Sequence, residues 1–205
     1  MYIPKHFKMT DFDKVINFIK TYNFGLLVSV NESIPIATHL PFLLEKRAEN
    51  WFLITHLAIS NPQHTNIVGQ PVLTIFSEPH AYISPSLYSE KQNVPTWNYI
   101  SVHCYGQANL VTKKNEKIYL LENLINLMEP SYLNQWNTLP KRYKNALLDD
   151  MIGIEIEISH FEAKEKLSQN KPPTDQQKII NHLANSGDTT KQALANKMKE
   201  LYNKN

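Results

Sequence analysis

The chain reads as an α+β protein, mainly β with helices: an antiparallel sheet, flanking helices and a helical C-terminal tail. Three observations predict this. Short runs rich in branched and aromatic residues, separated by turn formers, fill most of residues 24 to 111. Apolar residues recur at helical spacing near both ends of that region. Beyond Lys171-Pro172-Pro173 the character changes to polar helical patterning, which divides the chain into a main domain over 1–170 and an extension over 171–205.

Taken in order, Phe12, Val15, Ile16, Phe18 and Ile19 predict an amphipathic helix over Asp11 to Tyr22 with Thr10 as its cap. Strands follow at Phe24 to Val30, Ile34 to Leu44, Trp51 to His56 and Val72 to Phe76, with turns at Asn31-Glu32-Ser33 and Glu49-Asn50. Asn61-Pro62 pairs an N-cap residue with a proline whose φ suits a first helical turn, which predicts a short helix through Gln63 to Val68. His80 to Ser84 and Tyr99 to Val111 are extended and bracket a long loop holding Ser86, Tyr88, Lys91 and Trp97. Lys113 to Met128 and Lys141 to Leu148 read as helices, and Ile152 to Ile158 as a strand with its isoleucines on one face. Thr174-Asp175-Gln176-Gln177 has the form of a capping box opening a helix to about Ala184, and a last helix runs from Gln192 to Tyr202.

Composition narrows the function classes. Lysine and arginine number 21 against 19 acidic residues, and a net charge of +2 gives no nucleic-acid footprint. Cys104 is the one cysteine, so an intramolecular disulfide and a cysteine zinc cluster are both excluded. The N-terminus lacks the basic start and apolar run of a secretory signal, and no stretch matches a membrane span, so a soluble, cytoplasmic protein without a membrane partner is expected.

His39, His56, His64, His80 and His103 fall in the strand-rich half without metal-ligand spacing, so no metal site is predicted. No serine sits in a glycine-flanked nucleophile elbow, and five glycines provide neither a Walker loop nor a dinucleotide fingerprint. Any phosphate must be held by side chains and amides. Four polar clusters offer hydroxyls, amides, imidazoles and a flat ring: Ala37 to Phe42, Thr55 to Leu57, Ser60 to Gln63, and Val94 to Tyr99. A flavin needs that combination for its ring edge, face and phosphate. Strand ends and turns that satisfy their own backbone produce the same pattern.

Met1 to Phe7, Ala37 to Phe42, His56-Leu57-Ala58, Asn61-Pro62-Gln63, Ile75 to Pro85, Val94 to Tyr99, His103 with Tyr105-Gly106, and Lys166 to Asn170 together resemble the PaiB-like FMN-binding negative transcriptional regulators, over about residues 1 to 175. The resemblance implies an antiparallel split β-barrel related to pyridoxamine 5′-phosphate oxidases and flavin reductases, with FMN held across a homodimer interface. By analogy, Thr38 and His39 line the flavin, Thr55, His56, Ser60 and Asn61 face its ring or phosphate, and Trp97, Asn98, Lys166 and Gln169 complete the pocket. Many relatives carry an arginine where this sequence has Ile59, and Lys91, Lys164 or Lys166 are the available replacements.

The resemblance implies a repressor, with DNA as a partner by family alone: no helix-turn-helix or arginine stripe is visible, and Lys191, Lys197 and Lys199 on the last helix are the best basic face. The alternative is an FMN-dependent oxidoreductase of flavin-reductase type, in which the cofactor carries hydride and His39, His56 and His103 are the available acid-base groups. A haem-binding barrel is a third reading.

Overall fold

The computed structural model describes residues 1–202 of the chain. It holds seven strands: β1 (Phe24–Asn31), β2 (Ile34–Pro41), β3 (Leu43–Arg47), β4 (Asn50–Ala58), β5 (Pro71–Ile83), β6 (Thr96–Val111) and β7 (Met151–Lys166). Six helices accompany them: α1 (Phe12–Thr21), α2 (Lys114–Met128), α3 (Tyr132–Thr138), α4 (Lys141–Asp149), α5 (Pro173–Ala184) and α6 (Thr189–Tyr202). The expected mixture of antiparallel sheet, flanking helices and C-terminal helices is present.

The expected barrel is not. The strands form one seven-stranded sheet in the order β2-β1-β5-β6-β7-β4-β3, and its ladder stays open with β2 and β3 as unpaired edges. Chain direction explains this. β2 ends at Pro41 and β3 begins at Leu43, so one is the onward continuation of the other. Two segments can lie side by side only after a reversal or a crossover, and a single intervening residue provides neither. That residue, Phe42, is fully buried, and its N–H donates to the Asn23 carbonyl at 2.8 Å.

The described residues condense into two compact units: one of residues 1–15, 77–102 and 162–202, the other of residues 16–76 and 103–161. In the second, β1 pairs antiparallel with β2 from Phe24↔Pro41 to Asn31↔Ile34, and β4 pairs with β7 from Phe52↔Glu157 to Ala58↔Met151. Ile54, Leu120, Leu124, Leu148 and Met151 form a core cluster in which α2 and α4 cover this part of the sheet. Burying each such side chain stabilises by about 1.5–3 kcal/mol. Lys117 sits beneath α4 with its ammonium donating to the carbonyls of Leu148 and, at 3.0 Å, Met151. Gly106 admits no side chain, because a Cβ there would lie 2.2 Å from the Glu157 carbonyl oxygen.

In the first unit, α5 and α6 pack together, and their apolar residues Ile179, Ile180, Leu183, Leu194, Ala195 and Met198 are all buried. The chain starts of helices differ from the sequence reading. Asp11 caps α1, its carboxylate accepting from the amides of Asp13 and Lys14 at 3.1 and 3.2 Å, because Asp11 and not Thr10 stands next to the first turn. Pro172 precedes α5 with no side-chain cap, so Thr174 lies inside the helix.

Candidate functional site

The second unit carries six of the predicted residues. Asn61 caps a four-residue 3-10 turn, Pro62–Thr65, its side chain accepting from the Gln63 amide at 3.0 Å. The expected helix through Val68 stops after this one turn, because the Thr65 hydroxyl donates to the Pro62 carbonyl at 2.8 Å and Asn66 leaves helical geometry at φ −118°. One 3-10 turn has too few aligned peptides to act as an anion-binding helix end.

Gln63 belongs to the polar cluster read from the sequence but was not among the expected cofactor-binding residues. It is 2% exposed. Its amide nitrogen donates to the Leu27 carbonyl at 3.2 Å and the Ser29 hydroxyl at 3.0 Å, while its oxygen accepts from the Thr38 hydroxyl at 2.6 Å. The Asn61 amide in turn donates to Thr38 at 3.1 Å. Thr38, Asn61 and Gln63 thus close a lock that fixes the Ser60-Asn61 turn against β1 and β2. The signal for it was the polar triplet Asn61-Pro62-Gln63, in which a buried amide needs several partners.

Thr55 is fully buried and donates to the Pro41 carbonyl at 2.7 Å, so its hydroxyl holds β4 to the end of β2. His56, next along β4, has a buried Nδ1 with no hydrogen-bond partner among the described residues. Burial pulls its pKa below the usual imidazole value. His39 and Ser60 are exposed, and the His39 ring stacks on the exposed Phe24 ring with centroids 6.1 Å apart and planes 22° from parallel. His39 and Ser60 therefore keep their polar atoms open to a ligand, while Thr38, Thr55 and Asn61 are committed to neighbouring groups.

The other four predicted residues lie in the first unit. Trp97 is half exposed and meets His80 at 5.5 Å and Tyr82 at 6.3 Å between ring centroids, an aromatic surface on β5 and β6. Asn98 is fully buried and exchanges hydrogen bonds with Ser168 at 2.9 and 3.1 Å. Gln169 accepts from the Leu167 amide at 2.7 Å and donates to the Glu165 carbonyl at 2.6 Å, so its side chain closes its own turn. Lys166 donates to the Thr96 hydroxyl; burial and the neighbouring Lys164 both lower its pKa. Lys166 also lines a cavity of about 180 Å³ in this unit.

A larger cleft of about 590 Å³ opens in the second unit between β3, β6 and α2, lined among others by Leu43, Arg47, Asn109, Tyr119 and Glu155. Arg47 is held there by ion pairs to Glu45, at 2.9 Å, and Glu155. Nothing in the sequence singled it out, since its walls come from distant segments. Among the described residues, no group of three or more histidine, cysteine or acidic side chains could hold a metal ion, and no helix is long and apolar enough to cross a membrane.

An open antiparallel sheet with an amide-and-hydroxyl lock on the Ser60-Asn61 turn is the frame that carries the motifs of the sequence, and those motifs match a flavin-binding family. Residues 1–160 match the family described as "Putative FMN-binding domain", and the chain belongs to that family. The chain is 36% identical over its full length, and over 99% of the relative's length, to the "Protease synthase and sporulation protein PAI 2" of Bacillus subtilis. The PaiB-like membership expected from the motifs is thus the one found. Among solved structures, the flavocytochrome Anf3 of Azotobacter vinelandii aligns with TM-score 0.63 at 13% identity, covering 80% of this chain and 72% of that one. The FAD and haem binding protein of Mycobacterium smegmatis aligns with TM-score 0.62 at 14% identity, covering 85% and 79%. At such identities these two likenesses speak for the fold alone.

Proposed function

We propose that this protein is a homodimeric, cytoplasmic regulator of transcription that binds FMN. The observation that carries the reading is the full-length identity to PAI 2, whose name ties that protein to protease synthesis and sporulation, together with the family match. The geometry supports it on the second unit. The Thr38–Asn61–Gln63 lock holds the Ser60 turn in place, and leaves His39 and Ser60 as the exposed donors and acceptors for a flavin. On β4, Thr55 holds the strand to the end of β2, and the partly buried His56, on the opposite face, is the further imidazole this unit offers. We assign Asn98 and Gln169 to scaffolding of the first unit, since their side chains are already paired, and leave Trp97 as the exposed ring able to stack. FMN is chosen over other flavins on the family's description.

The homodimer has its own support. Phe24, Val30 and Ile34 on the β1–β2 hairpin are 64%, 44% and 64% exposed, and β2 is an open sheet edge. Exposed apolar side chains beside an unpaired edge are a surface that natural proteins cover.

The test is a visible spectrum and a DNA-binding assay on one preparation. Protein purified without added cofactor should show flavin absorption, or acquire it with FMN, and should shift promoter DNA in a salt-dependent manner. A featureless spectrum that saturating FMN leaves unchanged removes the cofactor, and loss of all sequence preference in the DNA assay removes the regulator.

A further inference from the structure

We propose that the 180 Å³ cavity of the first unit is a binding site for a small oxyanion of the phosphate class. The inference rests on the cavity's own walls and holds whether or not a flavin binds the second unit.

Two lysines, Lys166 and Lys171, line the cavity, and among the described residues no carboxylate does. Both lysines are half buried, and among the described residues neither takes part in an ion pair. Half-buried cations without a counterion are costly, because the protein removes water without returning charge. Lys166 donates to the Thr96 hydroxyl, and Lys171 to the Asn93 side-chain oxygen at 2.5 Å. An ammonium has three N–H donors, so each lysine keeps two for another acceptor.

The surrounding charges leave that demand unmet. Asp175, the carboxylate that feels Lys171, is turned to Ser89, accepting from its amide at 2.9 Å and its hydroxyl at 2.6 Å, with Lys178 at 4.0 Å. Each lysine lies against a ring, the Lys171 ammonium 4.3 Å from the Tyr88 ring centroid and the Lys166 ammonium 6.0 Å from that of Phe7, and the Tyr88 hydroxyl is buried with no partner among the described residues. The floor is rigid, since Asn98 and Ser168 satisfy each other. Donors exceed acceptors throughout, which suits a ligand that offers only acceptors.

Size sets the class. Sites for ligands as large as an isoalloxazine run from about 300 Å³ upward, so this cavity admits a compact head group and not a tricyclic ring. A phosphate group can come from two sources, a free phosphate or the ester end of a nucleotide such as FMN.

The experiment titrates inorganic phosphate into the full-length protein by calorimetry, against sodium chloride at equal ionic strength, and repeats it with Lys171→Met and Lys171→Gln. Charged hydrogen bonds contribute about 1.5–3 kcal/mol, so saturable binding weakened roughly 10- to 100-fold in both variants is expected. Lys171→Gln retains a donor for Asn93 and guards against misfolding, which circular dichroism checks. FMN and riboflavin titrations then identify the source. Weakening of FMN without weakening of riboflavin makes the phosphate that of the flavin, whereas loss of inorganic phosphate with FMN unchanged makes it a separate ligand; both uphold the site. If phosphate affinity and the preference for FMN over riboflavin are both unaffected by the Lys171 variants, the site is overturned.

Discussion

The Thr38 hydroxyl donates a hydrogen bond to the side-chain oxygen of Gln63, 2.6 Å away and 25 residues on in the chain. A hydroxyl has one proton, so Thr38 can face a ligand only as an acceptor. Gln63→Leu keeps much of the volume but strands the Leu27 carbonyl, Ser29 and Thr38 in a buried site. Loss of about 2–4 kcal/mol is expected from these unsatisfied groups, measured by urea unfolding, with weaker flavin binding at the loosened Ser60 turn. Unchanged stability would mean that the lock is not formed.

Gly106→Ala places a methyl group 2.2 Å from the Glu157 oxygen and 3.0 Å from its carbonyl carbon. Both are strand backbone, which cannot swing aside as a side chain can. A cost of at least ~1–3 kcal/mol is expected in thermal or urea unfolding, although alanine normally suits a strand better than glycine.

His56 makes stability depend on pH in a defined direction. Its folded pKa lies below the unfolded value of about 6.5, so below that pH the unfolded chain takes up a proton that the folded chain refuses. Stability should be unaffected by this group above about pH 7, fall as the pH drops through the unfolded pKa, and level off once the folded imidazole also titrates. His56→Phe should flatten that part of the profile. Denaturation midpoints between pH 7.5 and about 4.5 would check this, and an NMR titration placing His56 at or above 6.5 would refute it.

Replacing the exposed rings and aliphatics of the β1–β2 hairpin tests the dimer. Phe24→Glu with Ile34→Lys should leave the fold intact, because both positions are 64% exposed, and should halve the mass seen in sedimentation. A monomeric native protein would refute the homodimer before any variant is made.

Much of the fold was legible because hydrophobic period is a local signal. β1, β4, β6 and α2 stand within a few residues of where branched runs and helical spacing put them. The stretch from Ile34 to Leu44 read as one strand, whereas it is two, because Pro41 and the buried Phe42 break pairing without breaking the apolar run. α3 went unseen between Pro130 and Pro140, since a seven-residue helix shows too little periodicity to register. The opposite placement of β2 and β3 in the sheet depends on pairings between distant segments, which no window of sequence contains. The site followed the same rule. Its polar residue types were visible, but which side chains are tied up in each other, Thr38 with Gln63 or Asn98 with Ser168, depends on contacts that only folding creates.

Cys104, alone of its kind in the chain, lies 1% exposed within β6, and burial pushes its thiol pKa up. Alkylating reagents attack thiolates they can reach, so the native molecule should resist them. Every labelled molecule then records one opening of the sheet around that strand, which turns a single sulfur into a built-in clock for how often the molecule breathes.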